Sequence, residues 1–302
     1  MSRILNIHKP YYFRMKSTHV YVSDDLYKDY NGNVTVKKWI SDYEKAYPKE
    51  IDIHFPASGK KAWHPFYINR YIPFSHFKSD IDNKRLTFVS PILWEDPFEN
   101  VFYDENLTIK NKKVNIACVC ATYDYVDGEE AAWKRGESNK EDKTIRVSLD
   151  FEKTCYLLEQ IGGSNNCIFY ISIVDYSQSK DSLIKKNTPL YNTVDDYIKV
   201  MSLKRKAFAY ENELRILAVS DNNFGQNPPS SKDLIHFPID TKDYISAIEK
   251  VTLPPLRPFK RNDARFKLYK TMQDNDNLNL RTELSKILPN TTINQSQLYN
   301  TK

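Results

Sequence analysis

Glycine is scarce in this chain of 302 residues, which contains only 7. Neither GxGxxG nor GKS/T occurs, so a glycine-rich phosphate loop is excluded. No run of about 18 apolar residues is present, which argues against a membrane-spanning helix. The N-terminal stretch is too interrupted by polar residues for a signal peptide. We therefore expect a cytoplasmic protein that does not associate with membranes.

Cysteine is also scarce, and its spacing matches neither a metal site nor a redox motif. The four cysteines, at positions 118, 120, 155 and 167, lack CxxC spacing and lie in apolar runs. They are predicted to be reduced core residues, as is usual in the cytosol. No cluster of ligand residues has metal-binding spacing, so no metal is expected.

The net charge of +5 is modest but unevenly distributed. Basic clusters can attract nucleic acid, although most such clusters are ordinary solvated faces. The sequence leaves both interpretations open for the clusters Lys110–Lys113, Lys204–Lys206 and Arg257–Lys270.

Apolar runs bounded by proline or glycine predict strands and helices that do not alternate strictly. This order favours an α+β fold over a doubly wound sheet. The predicted strands are Phe66–Ile72, Arg85–Ser90, Val114–Ala121, Thr144–Leu149, Cys167–Val174 and Ile248–Leu253. The predicted helices are Val36–Tyr47, Phe74–Lys78, one from Asp150 to Gly162-Gly163, one after Thr193, one after Asp263 and Leu280–Leu288.

One predicted strand, Ala209–Ile216, carries an unusual row of charges. Side chains alternate along a strand, so Glu211, Glu213 and Arg215 should share one face. The two carboxylates would then lie about 7 Å apart. Like charges on one face repel, so the row is either a solvated edge with a Glu–Arg ion pair or a functional site.

An ordered set of short motifs extends over roughly residues 64–258. The motifs are Asn69-Arg70-Tyr71, Glu95-Asp96-Pro97-Phe98-Glu99, Trp133-Lys134-Arg135 and Tyr210-Glu211-Asn212-Glu213-Leu214-Arg215. The set resembles a widespread bacterial family that is catalogued as a domain of unknown function. Glu95 stands where the family usually has Asn, and Leu214 stands where it usually has Tyr.

The same order of residues resembles the ADP-ribosyltransferases of the Arg-Ser-Glu class. Arg70, Ser90 and the pair Glu211/Glu213 match the class motifs on successive predicted strands. The resemblance implies an ADP-ribosyltransferase-like split mixed β-sheet core with flanking helices. It also implies three segments: an N-terminal extension (1–60), a catalytic domain (61–258) and C-terminal basic helices with a polar tail (259–302).

The resemblance implies that NAD is a co-substrate and that two glutamates carry the chemistry. Glu213 would stabilise the positive charge that develops on the ribose when nicotinamide leaves. Glu211 would orient or deprotonate the acceptor nucleophile.

Four other residues are implied to bind NAD. Arg70 would hold the pyrophosphate or ribose through a charged fork. Ser90 would position the nicotinamide-side ribose or brace Glu213. The aromatic rings of Tyr71 and Trp94 would stack on nicotinamide.

The resemblance favours a toxin of bacterial phage defence that is held inactive by an antitoxin or chaperone partner. The basic clusters favour a nucleic-acid acceptor, RNA in particular. A protein acceptor is the alternative within the same enzyme class. Two other classes stay open: a metal-dependent nuclease using Asp96, Glu99, Glu211 and Glu213, and a noncatalytic binding module.

Overall fold

The computed structural model describes most of the chain between residues 67 and 298, and three short strands before them. The described residues are 11–14, 18–22, 52–53, 67–94, 96, 99, 103, 107–122, 133, 142–174, 176, 193–211, 213–221, 224, 233–256 and 266–298. The strands are β1 (Tyr11–Arg14), β2 (Thr18–Val22), β3 (Asp52–Ile53), β4 (Tyr67–Pro73), β5 (Arg85–Val89), β6 (Thr108–Ile109), β7 (Lys112–Lys113), β8 (Asn115–Thr122), β9 (Thr144–Asp150), β10 (Ile168–Ile173), β11 (Glu213–Ser220), β12 (Leu234–Pro238), β13 (Ile248–Leu253) and β14 (Thr292–Gln295). The helices are α1 (Phe74–Asp82), α2 (Phe151–Asn165), α3 (Val194–Met201), α4 (Thr241–Ala247) and α5 (Phe266–Ile287), with 3₁₀ helices at Pro91–Leu93 and Lys206–Glu211.

The chain divides into two compact units that are interleaved in sequence. The first unit comprises Met1–Pro65, Arg85–Ala121 and Cys155–Ile239. The second unit comprises Phe66–Lys84, Thr122–Thr154 and Asp240–Lys302.

The sheet of the first unit runs in the order β8-β11-β10-β2-β1-β3. Strand β5 pairs with both β8 and β12. Strands β10 and β11 are antiparallel, with Ile168 opposite Val219 and Ile173 opposite Leu214. Because every residue of β11 is buried, this strand lies inside the unit rather than at a solvated edge.

Aromatic and aliphatic side chains fill the core of the first unit. Phe88, Phe169 and Phe237 form a cluster with ring centroids 5.2–5.6 Å apart. Helix α3 begins at a capping box, in which the Asp196 backbone N donates to Thr193 Oγ1 at 3.1 Å.

The second unit has a four-stranded sheet in the order β14-β13-β9-β4. Strands β4 and β9 are antiparallel from the pair Tyr67–Asp150 to the pair Pro73–Thr144, whereas β13 and β14 are parallel. Pro73 ends β4 because it lacks the backbone N–H of a continuing ladder, and α1 follows at once.

The α+β prediction is confirmed: both units combine helices with mixed, mostly antiparallel sheets. No helix among the described residues is long and apolar enough to cross a membrane.

Strands β1–β3 come from the N-terminal segment and belong to the sheet of the first unit. Strand β1 pairs with β2 and β3, and β2 pairs with β10. The three-segment division stays a prediction, and the predicted helix Val36–Tyr47 and the cap at Asp263 lie outside the described residues.

Three local predictions are wrong in detail. Helix α2 continues past Gly162-Gly163 and ends where Asn166 adopts a φ of 50°. The separate helix Leu280–Leu288 is the last part of the single helix α5. Cys118 is buried as predicted, but Cys120 is exposed near the end of β8.

Candidate functional site

Arg215 is the centre of a buried ion cluster at the start of β11. Its side chain is 1% exposed. Nε donates to Glu213 Oε1 at 2.8 Å, Nη1 donates to the Met201 carbonyl, and Nη2 donates to Glu99 Oε2. The guanidinium carbon lies 4.1 Å from the centroid of the Trp94 ring, so one face of that ring is covered.

Lys204 is the second cation of the cluster, and three carboxylates converge on its ammonium. Nζ lies 3.1 Å from Glu99 Oε1, 2.7 Å from Glu211 Oε2 and 2.8 Å from Glu213 Oε2. The Lys204 side chain is 11% exposed, whereas Glu213 is 1% exposed. Lys204 is therefore the most exposed of the four side chains in this contact.

These contacts fix the ionisation state of the central groups. Burial favours the neutral form of Glu213, but Arg215 and Lys204 outweigh it and hold the pKa of that carboxyl well below its usual range. Burial likewise opposes the charge on Lys204, but Glu213 and Glu99 raise its pKa above the ordinary value. Glu213 is thus a permanent anion, suited to stabilising charge and unsuited to accepting a proton.

A neighbouring ion pair extends the cluster. Arg205 donates to both carboxylate oxygens of Asp96, at 3.0 and 2.9 Å. Both Arg205 and Lys204 also lie against the ring of Phe208, 4.9 and 5.1 Å from its centroid. Counted over the ion pairs between residues that the structure describes, four carboxylates face three cationic groups, which leaves one formal negative charge.

The predicted strand position of Glu211 is wrong. Glu211 ends the 3₁₀ helix Lys206–Glu211, and β11 begins only at Glu213. Both carboxylates contact the Lys204 nitrogen, so they lie closer together than the roughly 7 Å spacing of one strand face. The helical turn allows this approach, and the shared ammonium offsets the repulsion between the two anions.

Ser90 and Trp94 belong to the same unit as the glutamates. Ser90 is buried, donates to Tyr103 Oη at 3.2 Å and accepts from the Ile92 backbone N. No hydrogen bond joins Ser90 to Glu213 in the described residues, so the bracing role predicted for Ser90 is not found. Trp94 is half-buried, with Arg215 against one face of its ring.

Arg70 and Tyr71 belong to the second unit. Arg70 is 8% exposed, and its Nη1 donates to Tyr244 Oη at 3.4 Å. Tyr71 is half-buried and meets Trp133 edge-on at 5.0 Å between centroids. Trp133 is 3% exposed and therefore lies in the core.

The acidic residues proposed for a metal-dependent nuclease all lie in this cluster. Glu99, Glu211 and Glu213 contact Lys204, and Asp96 contacts Arg205. Within the part of the chain that the structure describes, no group of acidic, histidine or cysteine side chains is arranged to hold a metal ion.

Sequence reasoning missed Lys204 and Tyr176 as members of the site. Lys204 was interpreted only as part of a basic cluster, and Glu99 was considered only for the alternative metal-dependent nuclease. Tyr176 accepts a hydrogen bond at its Oη from the Glu213 backbone N at 3.0 Å. The pairing predicted between Arg215 and a glutamate is confirmed, with Glu213 and Glu99 both in contact.

Comparison of the chain with family models gives no match, and comparison with the curated proteins and with solved structures gives none either. The resemblance to ADP-ribosyltransferases therefore stays a prediction.

Proposed function

We propose that this chain is an NAD-dependent ADP-ribosyltransferase that modifies a macromolecule, with RNA as the favoured acceptor. The observation that carries the proposal is the convergence of three carboxylates on one ammonium, that of Lys204. Following the resemblance, we propose that the enzyme acts as a toxin in phage defence and is held inactive by a partner.

The electrostatics of the cluster support transfer chemistry at a ribose. Breaking the bond between nicotinamide and ribose places positive charge on the sugar. Glu213 is ionised at all physiological pH values, and the cluster retains one formal negative charge. A fixed negative charge in a water-poor site stabilises such a transition state without reorganisation.

In the proposed reaction the bond from the ribose C1′ to nicotinamide breaks, and a bond from C1′ to the acceptor nucleophile forms. Neutral nicotinamide leaves, and the acceptor releases a proton to Glu211. Both steps require Lys204 to withdraw, because its ammonium donates to Glu211 and Glu213. The Lys204 ammonium thus marks the place that the positive charge of the sugar would take.

The remaining proposed contacts hold NAD. The planar guanidinium of Arg70 would donate two parallel hydrogen bonds to the pyrophosphate. Ser90 would contact the ribose. The ring of Trp94 would stack on nicotinamide. The NAD contact of Tyr71 stays a prediction from the resemblance.

The test incubates the purified chain with adenylate-labelled NAD and, separately, with RNA, DNA and protein from a bacterial lysate. Nicotinamide release and acceptor labelling are measured for wild type, Glu213→Gln and the control Glu283→Gln. Glu283 is an exposed carboxylate in the second unit that pairs with Lys286. Loss of the Glu213 charge should slow transfer by about 10²–10³, whereas the control should match wild type.

The result separates the competing classes. Labelled protein with unlabelled RNA would move the proposal to a protein acceptor. If wild type released no nicotinamide with any acceptor, or if Glu213→Gln transferred at the wild-type rate, the proposal would be wrong. The ion cluster would then be structural.

A further inference from the structure

A second concave site lies in the first unit, at the opposite end of β11 from the carboxylates. Its cavity measures about 740 Å³, within the range of about 300–1,000 Å³ typical of small-molecule sites. Glu213 begins β11, whereas Val219 and Ser220 line the cavity. Six residues at about 3.3 Å each separate the two places by about 20 Å along the strand.

One wall of this cavity is a basic hairpin. Strands β6 and β7 are joined by Lys110 and Asn111, with φ values of 51° and 65°, which is the two-residue turn that suits a tight hairpin. Lys110, Lys112 and Lys113 line the cavity and are exposed. None of the three forms an ion pair with a residue that the structure describes. Such ammonium groups bind phosphate as point charges.

A second wall offers hydrogen-bond acceptors. It includes the last turn of α2, whose C-terminus carries partial negative charge. The Gly162 carbonyl there already accepts from the Cys167 backbone N, and the Asn166 carbonyl accepts from Ser220 Oγ. Gly163 belongs to this turn, and a Cβ atom added there would meet no atom within 4 Å beyond its own stretch of helix. Asp221 adds a carboxylate to the lining. This wall favours groups that donate N–H bonds.

Apolar side chains form a third part of the lining, which we call the apolar floor. Val114, Tyr170 and Val219 belong to the buried core cluster of the unit and reach the cavity with one side. Ile168 is 39% exposed and contributes open apolar surface. A flat, weakly polar ring would cover this floor.

We propose that the cavity binds a nucleoside phosphate. The phosphate would lie at the hairpin lysines, the base would cover the apolar floor, and its N–H groups would donate to the wall at Gly163 and Asp221. An inorganic anion would leave the floor uncovered, and a purely apolar ligand would leave both polar walls without partners. The same chemistry is offered by a free nucleotide and by a nucleotide unit within a strand.

The test measures binding of AMP, adenosine, inorganic phosphate and hexaadenylate by calorimetry. We expect AMP or hexaadenylate to bind at least tenfold more tightly than adenosine or phosphate, a difference of about 1.4 kcal/mol. Tight binding of AMP alone identifies a free nucleotide as the ligand. Tight binding of hexaadenylate alone identifies a strand. Either result supports the proposal.

Two sets of variants locate the binding. Gly163→Trp should weaken it at least tenfold by filling the cavity, whereas Gly163→Ala should not, since Gly163 lies in a helix with open space around it. Replacing the three hairpin lysines by serine should reduce AMP affinity to that of adenosine. The matched control replaces Lys242, Lys270 and Lys286 of the second unit by serine and should bind as wild type does.

Two outcomes would overturn the inference: no binding of either nucleotide ligand up to about 1 mM, or unchanged binding in Gly163→Trp. The inference is independent of the proposed transfer reaction. AMP binding should be unchanged in Glu213→Gln, so a failure of NAD chemistry and a failure of this pocket give different results.

Discussion

Lys204 Nζ lies 2.8 Å from Glu213 Oε2, and this contact joins the last residues before the 3₁₀ helix to the first residue of β11. The same ammonium also contacts Glu99 and Glu211. Lys204 should therefore stabilise the cluster and, in the proposed reaction, would control the access of a substrate to Glu213. Stability and access can be separated by experiment.

Lys204→Met should lower the free energy of unfolding at neutral pH. The substitution keeps much of the side-chain volume but removes the ammonium that contacts Glu99, Glu211 and Glu213. Removing one partner of a buried ion pair typically costs about 3–5 kcal/mol. Urea unfolding at pH 7 measures the loss.

Lys206→Met is the matched control for Lys204→Met, because Lys206 is an exposed lysine two residues away. Its unfolding free energy should stay within about 0.5 kcal/mol of wild type. Equal effects of the two substitutions would contradict a stabilising role for the ammonium.

The stability that the Glu213 charge contributes should be present at neutral pH and should be lost on acidification. The pKa of Glu213 in the folded chain is lowered from an ordinary value of 4.5. The contribution is therefore fully present above pH 4.5 and is lost as the pH falls toward the folded pKa. The difference in unfolding free energy between wild type and Glu213→Gln should be constant from pH 6 to 8 and shrink below pH 4.5. A difference that grows on acidification would refute this.

The strands of the fold were predictable where a long apolar run in the sequence forms a buried strand. The run Val114–Ala121 corresponds to β8, Asn115–Thr122, and the run Cys167–Val174 contains β10, Ile168–Ile173. These runs are decided by local composition, because a strand buried on both faces needs apolar residues at successive positions.

Helix α5 was predicted as two helices because residues 274–279 are rich in Asp and Asn, which are weak helix formers. Contacts distant in sequence override that weakness. Asn277 Nδ2 donates to Gln295 Oε1 at 2.9 Å, and Asp276 pairs with Lys143 at 3.2 Å. Such contacts are invisible to local propensity.

The ion cluster was only partly predictable for the same reason. The pairing of Glu213 with Arg215 follows from their spacing on one strand face. The contacts of Glu99 with Lys204 and Arg215 join residues more than 100 positions apart. A charged residue in a polar stretch, such as Lys204, carries no local sign that it is buried.

Arg215→Lys should destabilise the first unit although it keeps the charge. The guanidinium bonds Glu213, Glu99 and the Met201 carbonyl from three different nitrogens, and one ammonium cannot reproduce that planar geometry. We expect a loss of about 2–5 kcal/mol, since buried charged groups would be left without full pairing.

Arg205→Lys is the control, because Arg205 is 30% exposed and water can replace part of its contact with Asp96. Thermal unfolding of both variants compares them directly. A larger destabilisation in Arg205→Lys than in Arg215→Lys would contradict the assignment of Arg215 as the structural centre.

Arg70→Ala should weaken NAD binding if Arg70 holds the pyrophosphate. Arg70→Lys should restore little affinity, because an ammonium cannot form the two parallel bonds of a guanidinium. Tyr244→Phe is the control, since it removes the 3.4 Å contact to Arg70 without removing the charge. Calorimetry with NAD decides: unchanged affinity in both Arg70 variants would place this residue outside the NAD site.

Glu211→Gln should separate transfer from hydrolysis of NAD. In the proposed reaction Glu211 accepts the proton of the acceptor nucleophile, whereas Glu213 stabilises the sugar. The amide cannot accept that proton, so transfer should fall by about 10²–10⁴. Slow hydrolysis should persist, because water needs less orientation than a macromolecular nucleophile.

The structure adds a second expectation for Glu211→Gln. The substitution removes one of the three carboxylates around Lys204, and Glu213 keeps its contacts with both Lys204 and Arg215. Glu213→Gln should therefore abolish hydrolysis and transfer together, whereas Glu211→Gln should abolish transfer alone. Nicotinamide release and acceptor labelling, measured in the same samples, give the two rates. Equal loss of both rates in Glu211→Gln would assign Glu211 to NAD rather than to the acceptor.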